Sequence, residues 1–285
     1  MKRFVIGALV AGTLFATGAL AQQAPNTLAK IKAAKVINVA FAADSLPFSF
    51  VGQDKAPAGY SIDLCKRVIA RIGQVVGNPD LKVNWIAGST AERLQMVRSG
   101  KAELDCANTT QTLARLANVD FSSLIFVDGG GVILRADSPV NSIAELAGKK
   151  IAVLKDTTTE KRLRAIAPDN LPGTQILPVT DAREGLVMLE SGAVDAYAGD
   201  RIKLVGLAVQ NNPGKFVLLT EELSFEPYAI ALPLGDSALR LEVNRALTQV
   251  YQSGEIETIF ANWLGKLGRP TGLLAAMYLL YSIPE

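Results

Sequence analysis

The chain of 285 residues contains no histidine. That absence removes the usual general base near neutral pH, the commonest metal ligand and the partner of a nucleophilic serine or cysteine, so triad hydrolases and zinc enzymes are disfavoured together. Cysteine is scarce. Cys65 falls in a helical pattern and Cys106 in a strand pattern, and two outcomes stay open: one disulfide in an oxidising compartment, or two buried thiols. An excess of either charge is also missing. The 29 basic residues face 27 acidic ones, and residues 1–21 hold Lys2 and Arg3 but no acid, so the rest of the chain is formally neutral. Nucleic acids and anionic membranes both select a basic excess or a basic face, and neither is expected as a partner.

What is present starts with Lys2 and Arg3, an uncharged run from Phe4 to Leu20, and Ala19-Leu20-Ala21 before Gln22. This is the three-part pattern of a secretory signal peptide at 1–21, with cleavage expected after Ala21 and a periplasmic destination. An uncleaved membrane anchor is the alternative, and the apolar run falls short of the roughly 20 residues a span needs. No cysteine stands at the cleavage point to take a lipid. The remaining length suffices for one large or two modest domains with a real core.

Two stretches echo each other: Leu94-x-Met96-x-x-Ser99-Gly100 ahead of Asp105, and Leu186-x-Met188-x-x-Ser191-Gly192 ahead of Asp195, about 90 residues further on. Each reads as an amphipathic helix, a Ser-Gly turn and a strand ending in polar residues. Strand-like runs at 36–41, 81–86, 104–107, 132–134, 151–154, 194–198 and 228–232 alternate with helical patterns at 61–76, 91–98, 142–147, 159–165, 182–190 and 237–252. The alternation argues an α/β architecture with mostly parallel sheets. Asp128-Gly129-Gly130-Gly131 and Ser224-Phe225-Glu226-Pro227 read as two hinge crossings between lobes, the glycines absorbing backbone rotation, with an ordinary glycine loop as the alternative. The expected layout is lobe I from 22–131 plus 226–270, an inserted lobe II from 132–225, and an apolar C-terminal tail at 271–285. That tail is too short to span a bilayer and is expected to pack on the outside of a lobe.

The first repeat delivers Asn108-Thr109-Thr110 and then Arg115, while the second delivers Gly199-Asp200. One half therefore offers an anion site and the other a cation site, which is what a free amino acid requires. Arg115 is the candidate clamp for an α-carboxylate, because a guanidinium fork matches it bidentately, and Thr110 adds a hydroxyl and a backbone N–H. Asp200 lies just beyond an apolar strand, where open α/β sheets place their ligands, and would receive the ammonium; capping the helix after it is its other use. Lys155-Asp156-Thr157-Thr158-Thr159-Glu160 opens a helix with Thr157 and Glu160 spaced as a capping box, and N–H groups near Thr158 could share the carboxylate. Arg93, at a helix start after Ser89-Thr90, either enters the pocket or pairs with Glu92 or solvent. Pro47-Phe48-Ser49-Phe50 could form an aromatic wall, although core packing is the default for phenylalanine.

Taken in order, Pro47 to Phe50, Gly59-Tyr60-Ser61-Ile62-Asp63, Arg93 to Asp105, Thr110 to Arg115, Val119-Asp120-Phe121-Ser122, Leu146-Ala147-Gly148-Lys149, Asp156 to Glu160 and Leu189-Glu190-Ser191-Gly192 resemble the periplasmic solute-binding proteins, family three, of polar amino-acid ABC importers. The resemblance covers essentially the whole mature chain. It implies a two-lobed type II periplasmic-binding fold with two hinge strands. Asn78-Pro79-Asp80-Leu81, Cys106 to Thr110, Phe121-Ser122 to Phe126-Val127 and the long tail after Trp263 are similar to the glutamate/aspartate-binding branch. That match implies Arg115 and Thr110 on the α-carboxylate, Asp200 on the ammonium, and Arg93, Thr90 and Asn108 facing the ligand side chain. Three departures follow. Ala42 and Ala182 stand where the branch carries an arginine and a histidine, and Asp156 replaces a glycine, so the side-chain subsite is larger and less cationic.

The reading is a monomeric binding protein, without cofactor or metal, that delivers an amino acid, acidic or polar, to a membrane permease and its ATPase. The alternative is an enzyme on the same scaffold, resembling cyclohexadienyl dehydratases, with Glu226 or Glu160 as the general acid. A receptor sensor domain is the third class, disfavoured because no transmembrane helix or cytoplasmic module is read after it.

Overall fold

The computed structural model describes residues 26–211 and 214–285, and the expected signal segment at 1–21 lies outside the described residues. In chain order the elements are α1 (Thr27–Ala34), β1 (Val36–Phe41), β2 (Asp44–Ser45), β3 (Ser49–Val51), β4 (Pro57–Ala58), α2 (Tyr60–Val75), β5 (Lys82–Ala87), α3 (Thr90–Arg98), β6 (Leu104–Asp105), α4 (Leu113–Leu116) and β7 (Val119–Arg135). They continue with β8 (Lys150–Leu154), α5 (Thr158–Asn170), β9 (Gln175–Val179), α6 (Ala182–Glu190), β10 (Ala196–Asp200), α7 (Arg201–Asn211), β11 (Phe216–Leu218), β12 (Ser224–Pro233), α8 (Ser237–Gln252), α9 (Glu255–Leu264) and α10 (Gly272–Leu280). The architecture is α/β, of the two-lobed type II kind.

The long sheet has the order β5-β1-β6-β12-β7-β10-β8-β9, with β11 also on β7. Pairing is parallel toward both ends, β1 with β5 and β6, and β8 with β10 and β9. In the middle it is antiparallel, because β7 and β12 run against each other from Val119↔Pro233 to Gly130↔Ser224. Apolar side chains form separate cores around the two ends. One joins Ile37, Val39, Leu64, Val68, Ile125, Phe126, Tyr228 and Ile230 with the last three helices; another joins Val132, Leu134, Ile151, Val153, Leu163, Ala196 and Ala198. β7 and β12 are the strands that pass between these cores.

The two repeats fold alike. α3 and α6 both start at a side-chain cap, Ser89 on the Glu92 N–H and Asp181 on the Glu184 N–H. Both end with a serine whose hydroxyl bonds the methionine carbonyl three residues back, at 3.2 Å each, followed by a glycine at φ +72° or +76°. A left-handed residue is what closes a helix here, and glycine takes it without a Cβ clash. The pattern at 142–147 gives only a single 3₁₀ turn, Ala144–Leu146, since Gly148 at φ +72° already turns the chain into β8. The triple glycine is not a loop. It lies inside β7 with none of its three residues at positive φ, and what it supplies is space: a Cβ on Gly130 would strike the Ser224 hydroxyl, and one on Gly131 would lie 2.7 Å from Arg201 Cγ.

Cys65 and Cys106 form a disulfide across 41 residues, which settles the alternative left open above. Closing a loop of that size adds about 3–4 kcal/mol on a chain-entropy account. It also ties the chain just before Asn108 to α2. The apolar tail forms α10, which buries Leu274, Met277 and Tyr278 on the first core, where Tyr278 and Tyr60 hydroxyls meet at 2.8 Å.

Candidate functional site

The polar ends of the two repeated units meet. Asn108 lies beyond β6 and Asp200 ends β10, and the Asn108 amide donates to Asp200 Oδ2 at 2.7 Å although 92 residues separate them. The other Asp200 oxygen accepts from Thr159 at 3.4 Å, and Lys203 Nζ stands 3.9 Å away. The capping role for Asp200 is not realised: the Ile202 N–H at the start of α7 goes to Asp128 at 3.2 Å.

On the first half, Arg115 is half-buried in α4 and anchored by donation from Nη1 to the Thr110 carbonyl at 2.7 Å. Burial pushes its guanidinium pKa down, while Asp105, Glu226 and Asp200 pull it back up. It stays charged at any physiological pH. Across from it, α5 begins at Thr158. Thr157 caps the Glu160 N–H at 3.1 Å, and the N–H groups of Thr158 and Thr159 have no acceptor among the described residues, which makes this helix start a ready anion cradle. Asp156, in the place of a glycine, holds φ +61°, so the chain pays locally for a left-handed residue there.

Glu226 sits between these groups. Its carboxylate is fully buried and accepts Thr110 and Thr158 hydroxyls at 2.6 Å each, with Ser224 on its other oxygen. Burial raises its pKa, Asp200 adds to the rise, and the three hydroxyls oppose it. A hydroxyl has one proton. With those of Thr110 and Thr158 given to Glu226, their oxygens are left as acceptors, and the donors available to an anion are Arg115 and the α5 N–H groups. That shifts the role expected for the Thr110 hydroxyl.

Thr90 and Arg93 both line the neighbouring part of the cleft, and the hydrogen bonds of Arg93 stay within its own half. The guanidinium, 3% exposed, donates to Asp105 at 2.8 Å, to the Gly88 carbonyl at 2.9 Å and to the Thr90 and Thr109 hydroxyls. It braces the Asn108-Thr109-Thr110 segment and also lines the cleft beside Thr90. Phe48 packs in the core against Tyr60, Phe126 and Tyr228 and makes no cleft wall. Glu160 turns outward to Arg164 at 2.8 Å.

Beside Asp200 the cleft narrows to a void of about 30 Å³, lined by Leu46, Leu154, Ala182, Tyr197, Leu204 and Leu207 with Asp44, Thr157, Thr159 and Lys203. That void has room for a water molecule, and larger openings of the cleft lie at Arg115 with Thr158 and at Thr90 with Arg93. Asp128, on β7, was not singled out from the sequence. It is paired in register with Glu226 and accepts Tyr228, Gly129 and Ile202, and burial with the nearby Asp200 charge lifts its pKa to about 7. A carboxyl raised from 3.8 to about 7 on folding is protonated in the folded chain and ionised in the unfolded one between those values, so its stabilising contribution is lost as pH rises through that window. Urea midpoints at pH 5 to 8 should fall more steeply for the wild type than for Asp128→Asn, by at most about 1.4 kcal/mol per pH unit; parallel profiles would contradict the assignment.

Comparison with known proteins agrees with this arrangement. Residues 37–266 match the family of bacterial extracellular solute-binding proteins, family 3. An L-glutamate/L-aspartate-binding protein of Pseudomonas aeruginosa is 30% identical over 94% of this chain and 90% of its own length. A glutamate/aspartate import solute-binding protein of Escherichia coli is 28% identical over 90% of this chain and 85% of its own. Among solved structures, an ancestral arginine-binding protein bound to arginine is 28% identical, with a TM-score of 0.73 over 81% of this chain and 99% of that one. The curated relatives are solute-binding proteins and not enzymes. The chain belongs to the bacterial extracellular solute-binding proteins, family 3.

Proposed function

We propose that this protein is the periplasmic substrate-capturing component of an ABC importer, exported by cleavage after Ala21, that closes two lobes on one free amino acid and hands it, as a monomer, to an inner-membrane permease with its ATPase. Lobe I is 22–131 with 226–270 and lobe II is 132–225, a division supported by the separate apolar cores on either side of β7 and β12. Arg115 and the α5 N–H groups at Thr158 take the α-carboxylate. Asp200, with Thr110 and Asn108, takes the ammonium, and Thr90 and Arg93 border the side chain. Acidic or polar amino acids are favoured, in line with the glutamate/aspartate-binding relatives. The observation that supports the reading is the 2.7 Å contact of Asn108 with Asp200 between the two repeated units, with Arg115 near enough to feel the Asp200 charge.

Closure is ligand-linked only if the guest binds the closed state better, which contacts from both halves provide. A thermal-shift screen of the proteinogenic amino acids tests it. A ligand at 100 times its Kd adds about 2.7 kcal/mol, several degrees for a chain of this size. A screen in which no amino acid moves the midpoint would count against the proposal.

A further inference from the structure

Resting on that reading, we propose that Lys203 reads the side chain of the guest, and that the preferred guest carries an oxygen acceptor there, a carboxylate or a carboxamide. The void beside Asp200 shares Asp44 and Leu154 with the part of the cleft that Thr90 and Arg93 border, so a side chain attached to a carbon held by Asp200 and Arg115 can reach both. Its walls are Leu46, Leu154, Ala182, Tyr197, Leu204 and Leu207, and Lys203 is the one cation among the residues that line it. The lysine is placed against local preference. It stands in the first turn of α7, where the helix dipole disfavours positive charge, and its side chain is only 15% exposed. Nor does it hold its carboxylate tightly. Nζ to Asp200 is 3.9 Å, whereas a charge-assisted hydrogen bond closes to about 2.7–2.9 Å, and the Asp200 oxygen it approaches already accepts Asn108 at 2.7 Å.

An ammonium with three protons, loosely paired and largely desolvated, is a donor waiting for an oxygen. The surrounding leucines and alanine offer an unsubstituted alkyl stem its contact, and a cationic side chain would meet Lys203 with like charge. Asp44, exposed on β2, lines the same void from the other half and gives an acceptor that a carboxamide N–H can use and a carboxylate cannot.

The test is calorimetric titration of wild type, Lys203→Met, Lys203→Arg and Lys203→Glu with glutamate, glutamine, leucine and arginine. Expected is wild-type preference for glutamate or glutamine over leucine and arginine; the balance between the first two shows whether Asp44 takes part. Lys203→Met is expected to lower affinity for the preferred guest at least tenfold relative to leucine, Lys203→Arg to retain most of it, and Lys203→Glu to favour arginine over glutamate. Wild type binding these guests with a Lys203→Met variant of unchanged selectivity overturns this inference alone, as does a wild-type preference for arginine or leucine. Wild type binding no amino acid overturns the transport reading as well.

Discussion

Arg115→Ala and Asp200→Ala each reduce amino-acid affinity by at least about 100-fold in calorimetric titration. The loss has a simple origin. Truncating one partner of a buried, hydrogen-bonded charge pair leaves the guest's own charge stranded in the cleft, at a cost of about 2–5 kcal/mol, and 2.7 kcal/mol is already two decades. The fold should survive both changes. Arg115 donates one structural hydrogen bond, to the Thr110 carbonyl, worth about 1 kcal/mol. Asp200 sits near Asp128 and Glu226, whose pKa values its charge raises, so its removal relieves like-charge repulsion. Asp200→Asn keeps the shape and isolates the charge. Near-normal affinity in either alanine variant, with the ligand-free melting temperature unchanged, would contradict the assignment.

Asp105→Ala should give the largest loss of stability. Asp105 is fully buried, pairs with the equally buried Arg93 at 2.8 Å and accepts the Thr109 hydroxyl at 2.6 Å. Breaking a buried pair from one side leaves an uncompensated charge and costs about 3–5 kcal/mol. Urea denaturation measures it. The same variant should weaken ligand binding, because Thr109 lies between Asn108 and Thr110, whose positions it steadies. A loss under about 1 kcal/mol would show that Arg93 finds another partner and that the brace is not what sets this segment.

The contrast between Arg93 and Arg115 shows how far the sequence carries. Both are arginines in the first turn or so of a short helix after a polar segment. Nothing local says that one is locked to Asp105 and the other opens on the cleft, because the partner is decided by how α3 packs on β6. The repeat was legible since its grammar is local: a capped helix, a serine, a left-handed glycine, a strand. It also pointed to Asp200, since strands in such units end at a common crevice. Glu226 was legible only as a hinge residue and a general-acid alternative and Asp128 only within a hinge crossing; their pairing lay beyond such reading. Their meeting depends on the register of β7 against β12, a pairing of residues 98 positions apart that no short-range pattern encodes. The triple glycine was read as a hinge crossing; the close approach of Ser224 and Arg201, which leaves little room for a Cβ at Gly130 or Gly131, is visible only in three dimensions. α7 entered the sequence reading only as a helix beginning near Arg201 that Asp200 could cap, and Lys203 on it was not singled out.

The most direct test of the central claim uses the wild-type protein and one amino acid that it binds, titrated beside two analogues, one lacking the carboxylate and one lacking the amine. Recognition by Arg115 from one half and Asp200 from the other requires both charges, so each analogue should bind at least about 100-fold more weakly than the parent. An analogue that binds as well as the parent would show that one of the two charges is not read in this cleft.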